Sequence, residues 1–101
     1  MRWVKLAGMT TLERLENAVR ILASGHEALV VRLVTAYRQQ LRHVRPGDMP
    51  AELVSQLNAI HARFGHGGIE DHLQGMTPKA ASRLALDIFE LSCALSQGLY
   101  H

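Results

Sequence analysis

Apolar side chains recur at three- and four-residue spacing along most of the chain, whereas no window shows sustained alternation of apolar and polar residues. The first pattern is typical of amphipathic helices, and alternation is typical of half-buried strands. The sequence therefore predicts an all-α protein. Four segments carry such an apolar stripe, and the short connections between them favour antiparallel neighbours in a compact bundle of four main helices.

Local signals predict where the first helix begins and ends. Thr10 and Glu13 have the spacing of a capping box, in which the hydroxyl and the carboxylate each accept a hydrogen bond from a free backbone amide. Ser24 and Glu27 repeat this spacing, and the glycine between them is unfavourable inside a helix. We therefore expect a break at 24–26 and a second capping box there.

The sequence PGDMP at 46–50 separates the second helix from the third. Its proline and glycine residues are expected to stop the second helix, which covers roughly 25–44. Pro50 suits the first turn of the third helix, because the amide that proline lacks is unpaired there in any case. The run FGHGG at 64–68 is expected to end the third helix.

A short extra helical turn is expected between the third and fourth helices, at 69–73. The fourth helix then begins with Thr77 as the capping residue and Pro78 at the first helical position, and Gly98 marks its end. Its length of about twenty residues corresponds to roughly 30 Å.

A length of 101 residues suits one domain with a single hydrophobic core. Met9 directly precedes the first capping box, and the residues before it fit no apolar stripe. We therefore expect one helical domain over 9–101 and a loosely docked N-terminal arm over 1–8.

The fourth predicted helix is unusually apolar, since eleven of the sixteen residues at 80–95 are apolar. Its polar residues form one narrow strip: Arg83, Asp87 and Glu90. Leu86, Phe89 and Cys93 form an additional apolar flank that one bundle core does not need. Either this helix is the centre of a monomeric bundle, or a second copy or a helix of another protein covers the flank. We expect a homodimer through this flank.

Composition excludes several classes of protein. Hydrophobic residues make up 48% and charged residues 20%, as in ordinary globular proteins. A single cysteine cannot form an intrachain disulfide, so a reducing cytoplasm is the expected location. The start of the chain lacks the apolar run of a secretory signal, and no window is apolar enough to span a membrane.

Six histidines raise the question of a metal site. His61, His66 and His72 lie around the glycine-rich run, but they are five and six residues apart, whereas helical metal ligands are three or four apart. We therefore predict no metal and no cofactor. We also find no nucleophile with its base, no paired carboxylates and no phosphate-binding loop, so catalysis is not expected.

An alternative function is DNA binding by residues 69–88, which have the outline of a helix-turn-helix motif. Lys79, Ser82 and Arg83 would then be exposed at the start of the second helix of the motif. Arg38, Arg42 and Arg45, at spacings of four and three on the second predicted helix, are further candidates for phosphate contacts. Residues 51–101 hold three basic and five acidic side chains, a net charge of −2 that opposes the motif, whereas residues 1–50 hold eight and four, a net charge of +4.

The primary interpretation is a small, non-catalytic interaction or regulatory protein that acts through protein contacts of its last helix.

Overall fold

The computed structural model of the protein describes residues 10–65 and 75–98. These residues form four α-helices and no strand: α1 (Thr11–Ser24), α2 (Leu29–Gln39), α3 (Val54–Phe64) and α4 (Pro78–Gly98). Three short 3₁₀ helices connect α2 to α3: Leu41–His43, Pro46–Asp48 and Ala51–Leu53. The predicted all-α bundle of four main helices is confirmed. The predicted arm at 1–8 and the predicted helical turn at 69–73 lie outside the described residues.

Two of the predicted helix starts are confirmed in atomic detail. The backbone amide of Glu13 donates to Thr10 Oγ1 over 3.1 Å, and the amide of Thr10 donates to Glu13 Oε1 over 2.9 Å, which completes the capping box. At the start of α4, the amide of Ala80 donates to Thr77 Oγ1 over 3.1 Å. Both caps satisfy amides that have no partner inside the helix.

The predicted capping box of Ser24 and Glu27 is wrong. The Ser24 hydroxyl instead donates to the Arg20 carbonyl over 2.7 Å in the last turn of α1. Serine side chains compete for nearby backbone groups, and here the Ser24 hydroxyl bonds back to the carbonyl one turn earlier in α1. Helix α2 begins only at Leu29, after Ala28, which makes no side-chain cap.

Arg32 holds the turn between α1 and α2 closed. Its guanidinium donates to the Leu22 carbonyl near the end of α1 and, through Nε, to the Glu27 carbonyl over 3.0 Å. The Arg32 side chain passes close to Gly25, where an added Cβ would lie 2.6 Å from Arg32 Cδ and 2.5 Å from the flexible end of the Glu27 side chain, at Oε1. The glycine therefore provides the space for the arginine that connects the two helices.

Helix α2 is shorter than predicted. It ends at Gln39, and the backbone of Gln40 leaves the helical region with φ −127°. The chain continues as the 3₁₀ helix Leu41–His43, which places the side chains of Leu41 and Val44 in the core. The favourable burial of these two side chains compensates for the loss of the hydrogen bonds that a continuous α-helix would have made.

The predicted helical stripe of Arg38, Arg42 and Arg45 is wrong for the same reason. Arg38 lies in the last turn of α2, Arg42 lies in the 3₁₀ helix, and Arg45 lies in extended backbone just before the next 3₁₀ helix. All three side chains are exposed, but they do not share one helical face.

One cluster of buried side chains forms the core of the described residues. Helix α4 is central to it, because it packs against α1, α2 and α3. Leu84, Ile88 and Leu91 on α4 are fully buried, and Phe64 at the end of α3 is the largest fully buried side chain.

We expect Gly25→Ala to destabilise the fold. The new Cβ would displace the Arg32 side chain and weaken its two hydrogen bonds. We therefore expect the free energy of unfolding to fall by about 1–2 kcal/mol. Chemical denaturation monitored by circular dichroism measures this loss.

Gly47→Ala is the matched control, because no atom lies within 4 Å of the position of its added Cβ. The double variant with Arg32→Ala tests the cause, since Gly25→Ala should reduce stability much less once the arginine is absent and only the movable end of the Glu27 side chain is in the way. An equal cost in both backgrounds would show that Arg32 is not responsible.

Candidate functional site

Helix α4 leaves an apolar flank exposed although it contacts the other three helices. Leu86 and Phe89 remain 43% and 49% exposed, and Cys93, a free thiol, is half-buried. These three residues lie within an arc of about 60° on the helix at 3.6 residues per turn. The structure therefore brings the three residues of the predicted interface together on one surface, which we call the α4 flank.

An open groove adjoins the α4 flank, with a volume of about 480 Å³. Helix α4 lines it with Phe89, Ser92, Cys93, Ser96 and Gln97, and helix α1 lines it with Glu16, Val19 and Arg20. We call it the α1–α4 groove. The α1 side is not predictable from the sequence, because periodicity shows that a helix has an apolar face but not which helix lies beside it.

The α1 rim of this groove carries one negative and one positive charge. Glu16 and Arg20 are four residues apart and both are exposed, yet no ion pair joins them. Arg20 Nη1 donates to Asn17 Oδ1 over 3.4 Å. Among the described residues, the Glu16 carboxylate has no hydrogen-bond or ion-pair partner.

The polar strip of α4 faces a different neighbour, helix α3. Asp87 Oδ2 lies 2.6 Å from Arg63 Nη1 on α3, and Asp87 Oδ1 lies 3.3 Å from Arg83 Nε one turn earlier on α4. A second groove of about 310 Å³ runs between α3 and α4 beside these ion pairs. Asp87 on the polar strip is half-buried at this contact, whereas Leu86 and Phe89 on the α4 flank, about a quarter of a turn away, stay exposed.

Only part of the predicted helix-turn-helix segment is described. Residues 75–88 are described and Lys79, Ser82 and Arg83 are exposed, whereas residues 69–74 lie outside the described part of the chain. The ion pair with Asp87 already partly neutralises Arg83. DNA binding by this segment stays a prediction.

His61 makes a structural contact. Its Nε2 lies 2.9 Å from the Val44 carbonyl oxygen, so this nitrogen carries the proton and donates. The ring also meets Tyr37 edge-on, and Tyr37 stacks on Phe64 with ring centroids 4.5 Å apart. These contacts attach α3 to α2 and to the connection that follows α2.

The other two histidines of the predicted trio, His66 and His72, lie outside the described residues. Within the described residues, no three histidine, cysteine or acidic side chains are grouped so that they could hold a metal ion.

Four basic side chains from two parts of the chain lie close together. The 3₁₀ helix Leu41–His43 packs against α1, and Arg14 on α1 acts electrostatically on His43 together with Arg42 and Arg45. Partial desolvation, followed by the positive charges of these three arginines, lowers the pKa of His43 below its ordinary value. The role of Arg14 is not predictable from the sequence, because Arg14 is distant from the other three residues along the chain.

Comparison with protein-family models, with curated protein sequences and with solved structures gives no match for this chain. None of the described helices is both long enough and apolar enough to span a membrane.

We expect Asp87→Asn to destabilise the α3–α4 contact by about 0.5–1.5 kcal/mol. The amide keeps the shape of the side chain but removes the charge that attracts both arginines. The cost is modest because the side chains of Arg63 and Arg83 are 40% and 63% exposed, so solvent screens their charges.

Glu90→Gln is the matched control, because it removes one negative charge from the same helix at a residue that has no ion pair with any described residue. Urea denaturation of the two variants should show a lower free energy of unfolding for Asp87→Asn alone. Equal losses would mean that net charge, and not this contact, determines the effect.

Proposed function

We propose that the protein is a non-catalytic interaction protein that works as a homodimer through the α4 flank and the α1–α4 groove. The observation that carries this proposal is the exposure of Leu86 and Phe89 on the helix that forms the centre of the core. Exposed apolar side chains that adjoin a groove and have a polar rim are typical of protein-interaction surfaces.

The α4 flank contributes apolar surface to the proposed association. Complete burial of a leucine or phenylalanine side chain contributes about 1.5–3 kcal/mol. Leu86 and Phe89 are close to half exposed, so each still has about 1 kcal/mol to gain, and a symmetric dimer gains this twice. Because association itself costs free energy, we expect a dimer that dissociates on dilution.

A second copy of the chain fits the charges at the groove. In a twofold dimer the same patch meets itself, so each residue contacts its partner's counterpart in both directions. A twofold axis that passes midway between Glu16 and Arg20 would place Glu16 of one protomer opposite Arg20 of the other, and the reverse. The α1 rim is thus complementary in charge to its own rotated copy, which favours a second copy over an unrelated helix.

The single thiol fits a reducing location. Cys93 has no cysteine partner in its own chain, so the fold does not depend on oxidation, and a cytoplasmic location follows from this as part of the proposal.

Light scattering on size-exclusion peaks over a dilution series tests the proposal. We expect a wild-type dimer, and we expect Phe89→Glu and Leu86→Glu to give folded monomers, because each would bury an unpaired charge in the interface.

Val31→Glu is the matched control, since Val31 on α2 is 49% exposed but lines neither of the two grooves. It should leave the dimer intact. A wild type that is monomeric at every concentration, or equal effects of Val31→Glu and Phe89→Glu, would contradict the proposal.

Charge reversal tests the twofold arrangement. Glu16→Arg and Arg20→Glu should each weaken the dimer, because each places like charges opposite one another. The Glu16→Arg variant then carries two positive charges at this rim and the Arg20→Glu variant two negative ones. A mixture of the two should therefore form a heterodimer with opposite charges facing one another, and native mass spectrometry detects this heterodimer. Homodimers of the variants that are as stable as the heterodimer would exclude this arrangement of the protomers.

A further inference from the structure

The four basic residues identified above lie at or beside the contact between α1 and the 3₁₀ helix Leu41–His43. Arg42, His43 and Arg45 are exposed, and Arg14 is half-buried on the adjoining side of α1. We call these four residues the basic cluster. They belong to the half of the chain whose net charge is +4, from eight basic and four acidic side chains.

Nothing among the described residues neutralises the basic cluster. Arg14, Arg42 and Arg45 have no ion-pair or hydrogen-bond partner for their guanidinium groups in this part of the chain. Asp48, the next acidic residue after Arg45, also has no ion pair there. The three like charges of Arg14, Arg42 and Arg45 repel one another, and a bound anion would relieve this repulsion.

The chemistry of the basic cluster is suited to phosphate. Its three permanent charges are all guanidinium groups, which present planar pairs of N–H donors that match two phosphate oxygens. The imidazole of His43 becomes a further donor and a fourth positive charge when it is protonated.

We propose that the basic cluster of Arg14, Arg42, His43 and Arg45 binds the phosphodiester backbone of a nucleic acid. This is a separate site from the α4 flank, and it does not use the predicted helix-turn-helix segment. The three arginines bind backbone phosphates, which gives affinity without selecting a sequence.

Two observations favour a nucleic-acid backbone over other sources of phosphate. No member of the basic cluster lines either of the two grooves described above. The cluster is therefore an open surface, which suits an extended polyanion better than a small ligand that needs an enclosed site. The exposed large hydrophobic residues of the described chain are Val31, Leu86 and Phe89. None of them belongs to the basic cluster, whereas binding to a membrane surface usually combines basic residues with apolar ones that insert.

Fluorescence anisotropy with a labelled DNA duplex of mixed sequence and with a labelled single-stranded RNA tests the proposal. The full-length chain is titrated at several salt concentrations between about 50 and 200 mM. For the duplex, three phosphate contacts predict that log K falls with log salt with a slope of about −2.7, since each contact contributes about −0.9. Arg42→Gln and Arg45→Gln should each reduce the magnitude of the slope by about 0.9.

Lys79→Gln is the matched control, because it removes the same charge from an exposed residue at the start of α4. Its slope should equal that of the wild type. If Lys79→Gln reduces the slope as much as Arg42→Gln does, the basic cluster is not the site. Absence of binding to both nucleic acids at low salt, or binding only to vesicles of phosphatidylserine, would also overturn the proposal.

Two further measurements separate binding from a structural role. Arg42→Gln and Arg45→Gln should not lower the melting temperature, because they relieve repulsion within the basic cluster; a clear loss of stability would indicate a structural role instead. A bound phosphate opposes the charges of Arg14, Arg42 and Arg45 that lower the pKa of His43. The nucleic acid should therefore raise that pKa in an NMR titration, and binding should tighten as the pH falls through it.

Discussion

Burial of one face of α4 is the interaction on which the rest of the structure depends. Leu84, Ile88 and Leu91 on that face are fully buried, and each of the other three helices packs against α4. Because α4 is the longest helix among the described residues, it can serve as a common surface for shorter helices that would otherwise be marginal in water. The positions of α1, α2 and α3 around it then determine what remains exposed.

The exposed flank of α4 follows from how the other sides are occupied. Arg63 draws α3 to Asp87 on the polar strip of α4, and α1 lies on the other side, where Val19 and Phe89 line the same groove. Three short helices cannot enclose a central one completely. The uncovered arc contains Leu86 and Phe89, so the surface proposed for dimerisation is a direct result of the packing of the core.

The connection between α2 and α3 has a comparable effect on charge. Burial of Leu41 and Val44 bends the chain away from the axis of α2, and His61 holds this connection through the Val44 carbonyl. The same bend brings Arg42 and Arg45 close to His43 and Arg14. A continuous helix, as predicted, would have placed these arginines along a solvated face in which Arg14 had no part.

The sequence by itself determined the features that depend on interactions over three or four residues. The caps at Thr10 and Thr77, the break near Gly25 and the apolar stripes of the helices arise from nearby backbone groups and side chains, so local patterns are sufficient to predict them. Tertiary structure alone decided the early end of α2, the ion pair between Arg63 on α3 and Asp87 on α4, and the pairing of α1 with the α4 flank. Those outcomes depend on contacts between residues that are distant in sequence. Such contacts stabilise the fold only when the helices pack together.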